Sequence, residues 1–179
     1  MRGDRGLSLL EALVAATIVI TVASSVAHLL VWSRRAAWFA GVETTAVRLA
    51  AQKIEQLRAL PWHVQGDGAL VSDDTTDLAT DPPAANGTGL LPSPAGSLDR
   101  NTPGFMDYVG ADGQWRGTGG RPPAGAAFVR RWSSVPLAAD AGHTLILTVV
   151  VLPLADVPGQ RGRPARGARV QTITTRIVR

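Results

Sequence analysis

A chain of 179 residues, 45% of them apolar, carries enough hydrophobic material for one domain core. It contains no cysteine, which excludes a disulfide framework, a thiolate metal site and a cysteine nucleophile. The formal net charge of +4 conceals an asymmetry: Asp67 to Asp112 holds eight acidic residues and one arginine, whereas Asp156 to Arg179 holds six arginines and one aspartate.

The chain starts with a basic hexapeptide, Met1-Arg2-Gly3-Asp4-Arg5-Gly6. A long apolar run follows from Leu7 to Trp32, interrupted by a single acid, Glu11, and a single histidine, His28. Its 26 residues suffice for a helix that spans a bilayer. Two plain readings compete: a secretory signal peptide would be cut at the small residues Ser25-Val26-Ala27, and a plain membrane anchor would stay uncut. Glu11 separates them, because an ionisable group in a membrane helix costs about 2.5 to 3.5 kcal/mol near the centre and calls for a partner. Cleavage after Gly6 creates an ammonium on Leu7, four residues before Glu11 and on the same helical face. The carboxylate then gains a cation from its own chain or from a neighbour.

At these residues the sequence resembles the prepilin family, whose leader ends in glycine and continues with an aromatic or apolar residue, Ser or Thr, two apolar residues and glutamate. Gly6-Leu7-Ser8-Leu9-Leu10-Glu11 follows that pattern position by position, except that Leu7 stands where the family most often has phenylalanine. The resemblance implies a leader 1–6 removed by prepilin peptidase between Gly6 and Leu7, N-methylation of Leu7, and Glu11 as the residue of subunit assembly. It further implies a bacterial inner-membrane protein with a cytoplasmic N-terminus and a periplasmic head. The charges alone leave orientation open, since Arg2 and Arg5 precede the span and Arg34 and Arg35 follow it. Trp32, Trp38 and Phe39 suit the far membrane interface, and His28 reads as an interfacial polar residue.

Beyond the span 7–32, the segment 33–61 continues as an amphipathic helix. Val47, Ala50, Ile54 and Leu57 form its apolar stripe, with Gln52, Lys53, Glu55 and Arg58 on the other sides. Pro61 ends it near Leu60, and Gly41 is a place for it to bend or fray. A single helix from Leu7 to Leu60 is about 80 Å long at 1.5 Å per residue. The motif Ala51 to Trp62 is similar to the corresponding stretch of minor pilins and pseudopilins, and Leu9-Leu10-Glu11-Ala12-Leu13-Val14 together with the length of the head after Pro61 looks closest to the PilV or GspI groups. That resemblance implies that the first half of the helix packs in the centre of a filament and the second against a sheet.

The head, 62–179, opens with a Gly-, Pro-, Asp- and Thr-rich region, 63–126, where Pro82-Pro83, Asn86-Gly87, Asp112-Gly113 and Pro122-Pro123 signal turns and regular structure should be sparse. Asp73, Asp74, Asp77 and Asp81 offer oxygen ligands to calcium without the spacing of a calcium loop; a solvated acidic loop is the favoured reading. Trp115 is positioned to anchor this loop. Three strand candidates then form a sheet over 127–178: Ala127–Leu137, Thr144–Leu154 and Ala168–Val178, in an antiparallel meander with the second strand central. The expected fold is therefore α+β, a long N-terminal helix packed on a small C-terminal antiparallel sheet. Arg161, Arg163, Arg166 and Arg169 mark a basic loop that protects a strand edge or meets an acidic partner or nucleic acid.

No catalytic constellation is apparent. His28, His63 and His143 are scattered, and no phosphate-cradling glycine loop or metalloprotease helix is present, so an enzyme is not expected and neither cofactor nor metal is called for. The resemblance implies a structural role, a minor pilin or pseudopilin that joins other pilin subunits through its N-terminal helix. Proteins of this kind prime or cap filaments used in pilus display, DNA uptake or type II secretion. The competing expectation is a membrane-anchored periplasmic module that binds an acidic ligand or DNA through its arginine-rich tail.

Overall fold

A computed structural model of the chain describes residues 9–66, 70–140, 143–154 and 168–175, with Val64, Leu70 and 168–175 described as backbone only. The fold is α+β: one long N-terminal helix, α1 (Leu9–Ala59), precedes a small antiparallel sheet. The chain divides into two units, Met1–Gly41 and Val42–Arg179.

In the first unit α1 carries its apolar side chains outward, with Leu9 83% and Trp32 68% exposed. The hydroxyls here turn inward on their own helix. Thr17, Thr21 and Ser25 each donate to the carbonyl four residues back, at 2.8 Å. Such back-bonding satisfies polar groups that lipid would leave stranded. This helix is long and apolar enough to cross a membrane.

In the second unit α1 ends where Pro61 forbids its continuation, with Leu60 N–H donating to Leu57 O at 3.3 Å in a tightened last turn. Arg58 occupies that last turn, where a cation complements the helix dipole. A short hairpin of β1 (Trp62–Val64) and β2 (Leu70–Ser72) follows, Trp62 lying opposite Ser72. The main sheet contains β3 (Met106–Val109), β4 (Trp115–Gly117), β5 (Phe128–Pro136), β6 (Thr144–Pro153) and β7 (Ala168–Thr175). Its order is β4-β3-β5-β6-β7, and every pairing is antiparallel. The three expected strands correspond to β5, β6 and β7, with 176–178 of the third candidate outside the described residues. Among the described residues the sheet has five strands rather than three. β3 and β4 escape the periodicity because they are four and three residues long and lie among glycines, with Asp107 inside one of them.

The core lies between α1 and one face of the sheet. Ala46, Leu49, Ala50, Ile54 and Leu57 pack with Phe105, Val109, Phe128, Trp132, Leu147 and Val149. Successive strand residues point to opposite faces, so Val129 joins Met106 and Tyr108 on the far side. The observed helix stripe corrects the expected one in two places. Val47 is 45% exposed, and Lys53, assigned to the polar side, is buried at 1% exposure.

The segment between β2 and β3 is built of turns held by its own polar groups. Asp73 accepts hydrogen bonds from the backbone N–H groups of Thr75 and Thr76 and from both threonine hydroxyls. These bonds, led by the Thr76 hydroxyl, hold its carboxyl below the usual range. Asp77 likewise accepts from Ala79 N–H at 2.8 Å. Gly87 allows the fold-back, because a Cβ there would lie 2.1 Å from the Asp77 Cα. The indole of Trp115 donates to Ala79 O at 2.8 Å and ties this segment to β4, the anchoring role expected of it.

Candidate functional site: the helix start and a buried charge cluster

Gly6 and Leu7, the expected cleavage and methylation positions, lie outside the described residues. Glu11 stands in the first turn of α1 and is exposed, with exposed Leu9 and Leu10 beside it. Of the expected basic group, Arg161, Arg163 and Arg166 also lie outside the described residues. Arg169 is not in a loop: it sits on β7 opposite Val150.

The acidic segment spends Asp73 and Asp77 on backbone turns. Among the described residues, no three His, Asp or Glu side chains gather in a geometry that holds a metal ion. The histidines occupy separate elements. His28 lies on α1 with Nδ1 3.0 Å from Ser24 O, His63 is on β1 opposite Val71, and His143 Nδ1 is 2.9 Å from Asp140 Oδ1.

The densest charge chemistry is one that the sequence reading passed over. Asp107 on β3 and Arg130 on β5 stand directly opposite in the ladder and form a two-pronged ion pair, Nε to Oδ1 at 2.8 Å and Nη2 to Oδ2 at 2.7 Å. Lys53 reaches this pair from α1. Its Nζ lies 3.0 Å from Asp107 Oδ2, donates to Leu78 O at 2.5 Å and to Gln56 Oε1 at 3.2 Å, and stands 4.1 Å from the centre of the Trp132 ring. All three charged residues are at most 2% exposed. Two cations therefore share one carboxylate. Burial lowers the Lys53 pKa from 10.5 to about 8; Asp107 opposes that shift and Arg130 reinforces it. Arg130 Nη1 and Trp132 Nε1 are buried with no hydrogen-bond partner among the described residues, so the cluster is rich in donors and short of acceptors.

A signal for Lys53 was present in the sequence. Ala46, Ala50, Lys53 and Leu57 follow a four-three-four spacing, which places the lysine on the buried seam. With 1% exposure it has no route to a substrate, and what the cluster does is join α1, β3, β5 and the Leu78 segment at one point. In comparisons with known proteins, no family model, no curated protein and no solved structure matches the chain.

Proposed function

We propose that this chain is a subunit of a type IV pilin-like filament, a minor pilin or pseudopilin. It is matured by prepilin peptidase between Gly6 and Leu7, held in the bacterial inner membrane with its head in the periplasm, and assembled through α1 with other pilin subunits. Its place is in priming or capping a type IV pilus or a type II secretion pseudopilus.

The observation that carries the reading is a single helix with two habits. Its N-terminal part is apolar and exposed, with Glu11 four positions after the proposed new terminus, and its C-terminal part is buried in the core of the head. Such a helix suits an element that is stored in lipid and later packed among others. In hydrocarbon a carboxylate such as that of Glu11 is stabilised by a nearby cation. In a filament the new terminus of a neighbouring subunit is a cation able to pair with that carboxylate, and such pairing favours one stagger of the subunits.

The test is Glu11→Ala expressed beside the native chain and its partner subunits. The variant should be processed as the native chain is and should be missing from sheared or cross-linked filaments. Normal incorporation would refute this role for Glu11.

A further inference from the structure

Immediately after its apolar run, α1 carries a compact group of side chains that suit a membrane surface. Trp32, Arg34, Arg35, Trp38 and Phe39 are all exposed, and the Trp38 and Phe39 rings meet edge-on with centroids 5.1 Å apart. Neither arginine has an ion pair or a side-chain hydrogen bond among the described residues. No acid stands near them on the helix. Glu11 is the last one before them, and Glu43 comes eight residues after Arg35, about 12 Å along the axis. Two adjacent guanidinium groups, each with a planar fork of donors that fits phosphate, are therefore left for a partner outside the chain.

Their depth says which partner. Arg34 follows Leu9 by 25 residues, about 37 Å of helix. A long side chain on a helix leans back over the preceding turn, so the guanidinium groups stand about 32 Å from Leu9, beside the edge of a hydrocarbon layer of about 30 Å. That is where lipid phosphates lie. Trp32 is on the hydrocarbon side of the pair. Trp38 and Phe39, each four residues beyond an arginine and on the same helical face, lean back over it. Aromatic rings on both sides of the pair suit the interface and not open water. Arg34 and Arg35 diverge by about 100° around the axis, so each addresses its own phosphate. A zwitterionic headgroup sets a cation of its own beside theirs; an anionic one does not.

We propose that Arg34 and Arg35 form a lipid headgroup site, one that selects anionic phospholipids in the leaflet where α1 leaves the membrane. This site requires α1 to span the bilayer, the membrane part of the proposed function, and requires nothing of the filament.

The test uses the full chain reconstituted in vesicles of phosphatidylcholine and phosphatidylglycerol at fixed composition, with bromine on the acyl chains of one lipid or the other at equal mole fraction. Bromine quenches tryptophan emission at short range, so Trp32 and Trp38 report on the lipids around the arginines. Subtracting the signal of a Trp32→Phe/Trp38→Phe chain isolates them. For the native chain, brominated phosphatidylglycerol should quench as though enriched about five-fold or more beside the helix, the factor that one cation gives at an anionic surface. Added sodium chloride should weaken that enrichment. Arg34→Gln/Arg35→Gln should keep quenching by either lipid and lose the preference. Equal quenching by both lipids in the native chain overturns the proposal, as does a preference that the double glutamine variant retains, or the absence of quenching by either lipid. Loss of the preference on adding inorganic phosphate, beyond that caused by sodium chloride at matched ionic strength, also overturns it, since the pair would then be a site for free phosphate. No peptidase or partner subunit takes part, so a chain that is matured and enters filaments yet shows no lipid preference refutes this proposal alone.

Discussion

Asp107→Asn removes the one negative charge of the buried cluster while keeping its shape. Lys53 and Arg130, at 1% and 2% exposure, are then left as two cations that face each other across a neutral amide. Breaking a buried ion pair by removing one partner costs about 3 to 5 kcal/mol. For a domain of this size each kcal/mol lowers the thermal midpoint by roughly 2 to 4 °C, so a fall of about 6 to 20 °C is expected at pH 7. Near-ultraviolet circular dichroism of the full chain in detergent isolates the head, because Trp132, Trp62 and Trp115 lie in its core or on its sheet and lose their fixed surroundings when it melts. The deficit should narrow as pH rises towards 8 and stay level beyond it, because Asp107 raises the Lys53 pKa and without it Lys53 sheds its proton, and with it the repulsion with Arg130, below the native value of about 8. A midpoint within about 2 °C of the native chain at pH 7 would refute the claim that the cluster is held by Asp107.

Three further outcomes are expected. Lys53 has a folded pKa of about 8 against 10.5 unfolded, so the unfolded chain binds the extra proton between those values. Its burial therefore opposes folding fully below pH 8, by about 3 kcal/mol, and that penalty is relieved as pH rises to 10.5. Chemical denaturation across this window should show native stability gaining on Lys53→Met as pH rises; parallel curves would contradict the assignment. Trp115→Phe leaves the Ala79 carbonyl without its indole donor and should cost about 1 to 2 kcal/mol, with amide exchange accelerated at Gly87 and Gly89, whose N–H groups bond within the same turn segment. Leu57→Ala, at a seat with 0% exposure, should cost about 2 to 5 kcal/mol by the same denaturation assay.

The long helix was legible because its signals are local: an apolar run, a continuing stripe and Pro61 as a stop. The strands β5 and β6 announced themselves through runs of Val, Leu, Thr and Trp. β3 and β4 did not, since three or four residues give no period, and what makes Met106–Val109 a strand is its pairing with Phe128–Arg131, 19 to 25 positions away. The same distance hid the charge cluster. Lys53 looks like an outer-face residue until Asp107 and Arg130 are brought to it by the sheet, and only then does its place in the spacing of Ala46, Ala50 and Leu57 acquire meaning. The exposure of Val47 belongs to the same error of phase. The helix-start motif, by contrast, is visible in sequence alone, with Gly6 and Leu7 outside the described residues.

That motif carries the central claim, and the mass of the mature chain tests it most directly. The full chain, expressed with a prepilin peptidase and recovered from membranes, should begin at Leu7, six residues shorter than the translated sequence, and Gly6 replaced by a bulky residue should leave it uncut. A native chain that keeps Met1 to Gly6 beside an active peptidase, or one that begins at His28 after cleavage behind Ala27, would contradict the account.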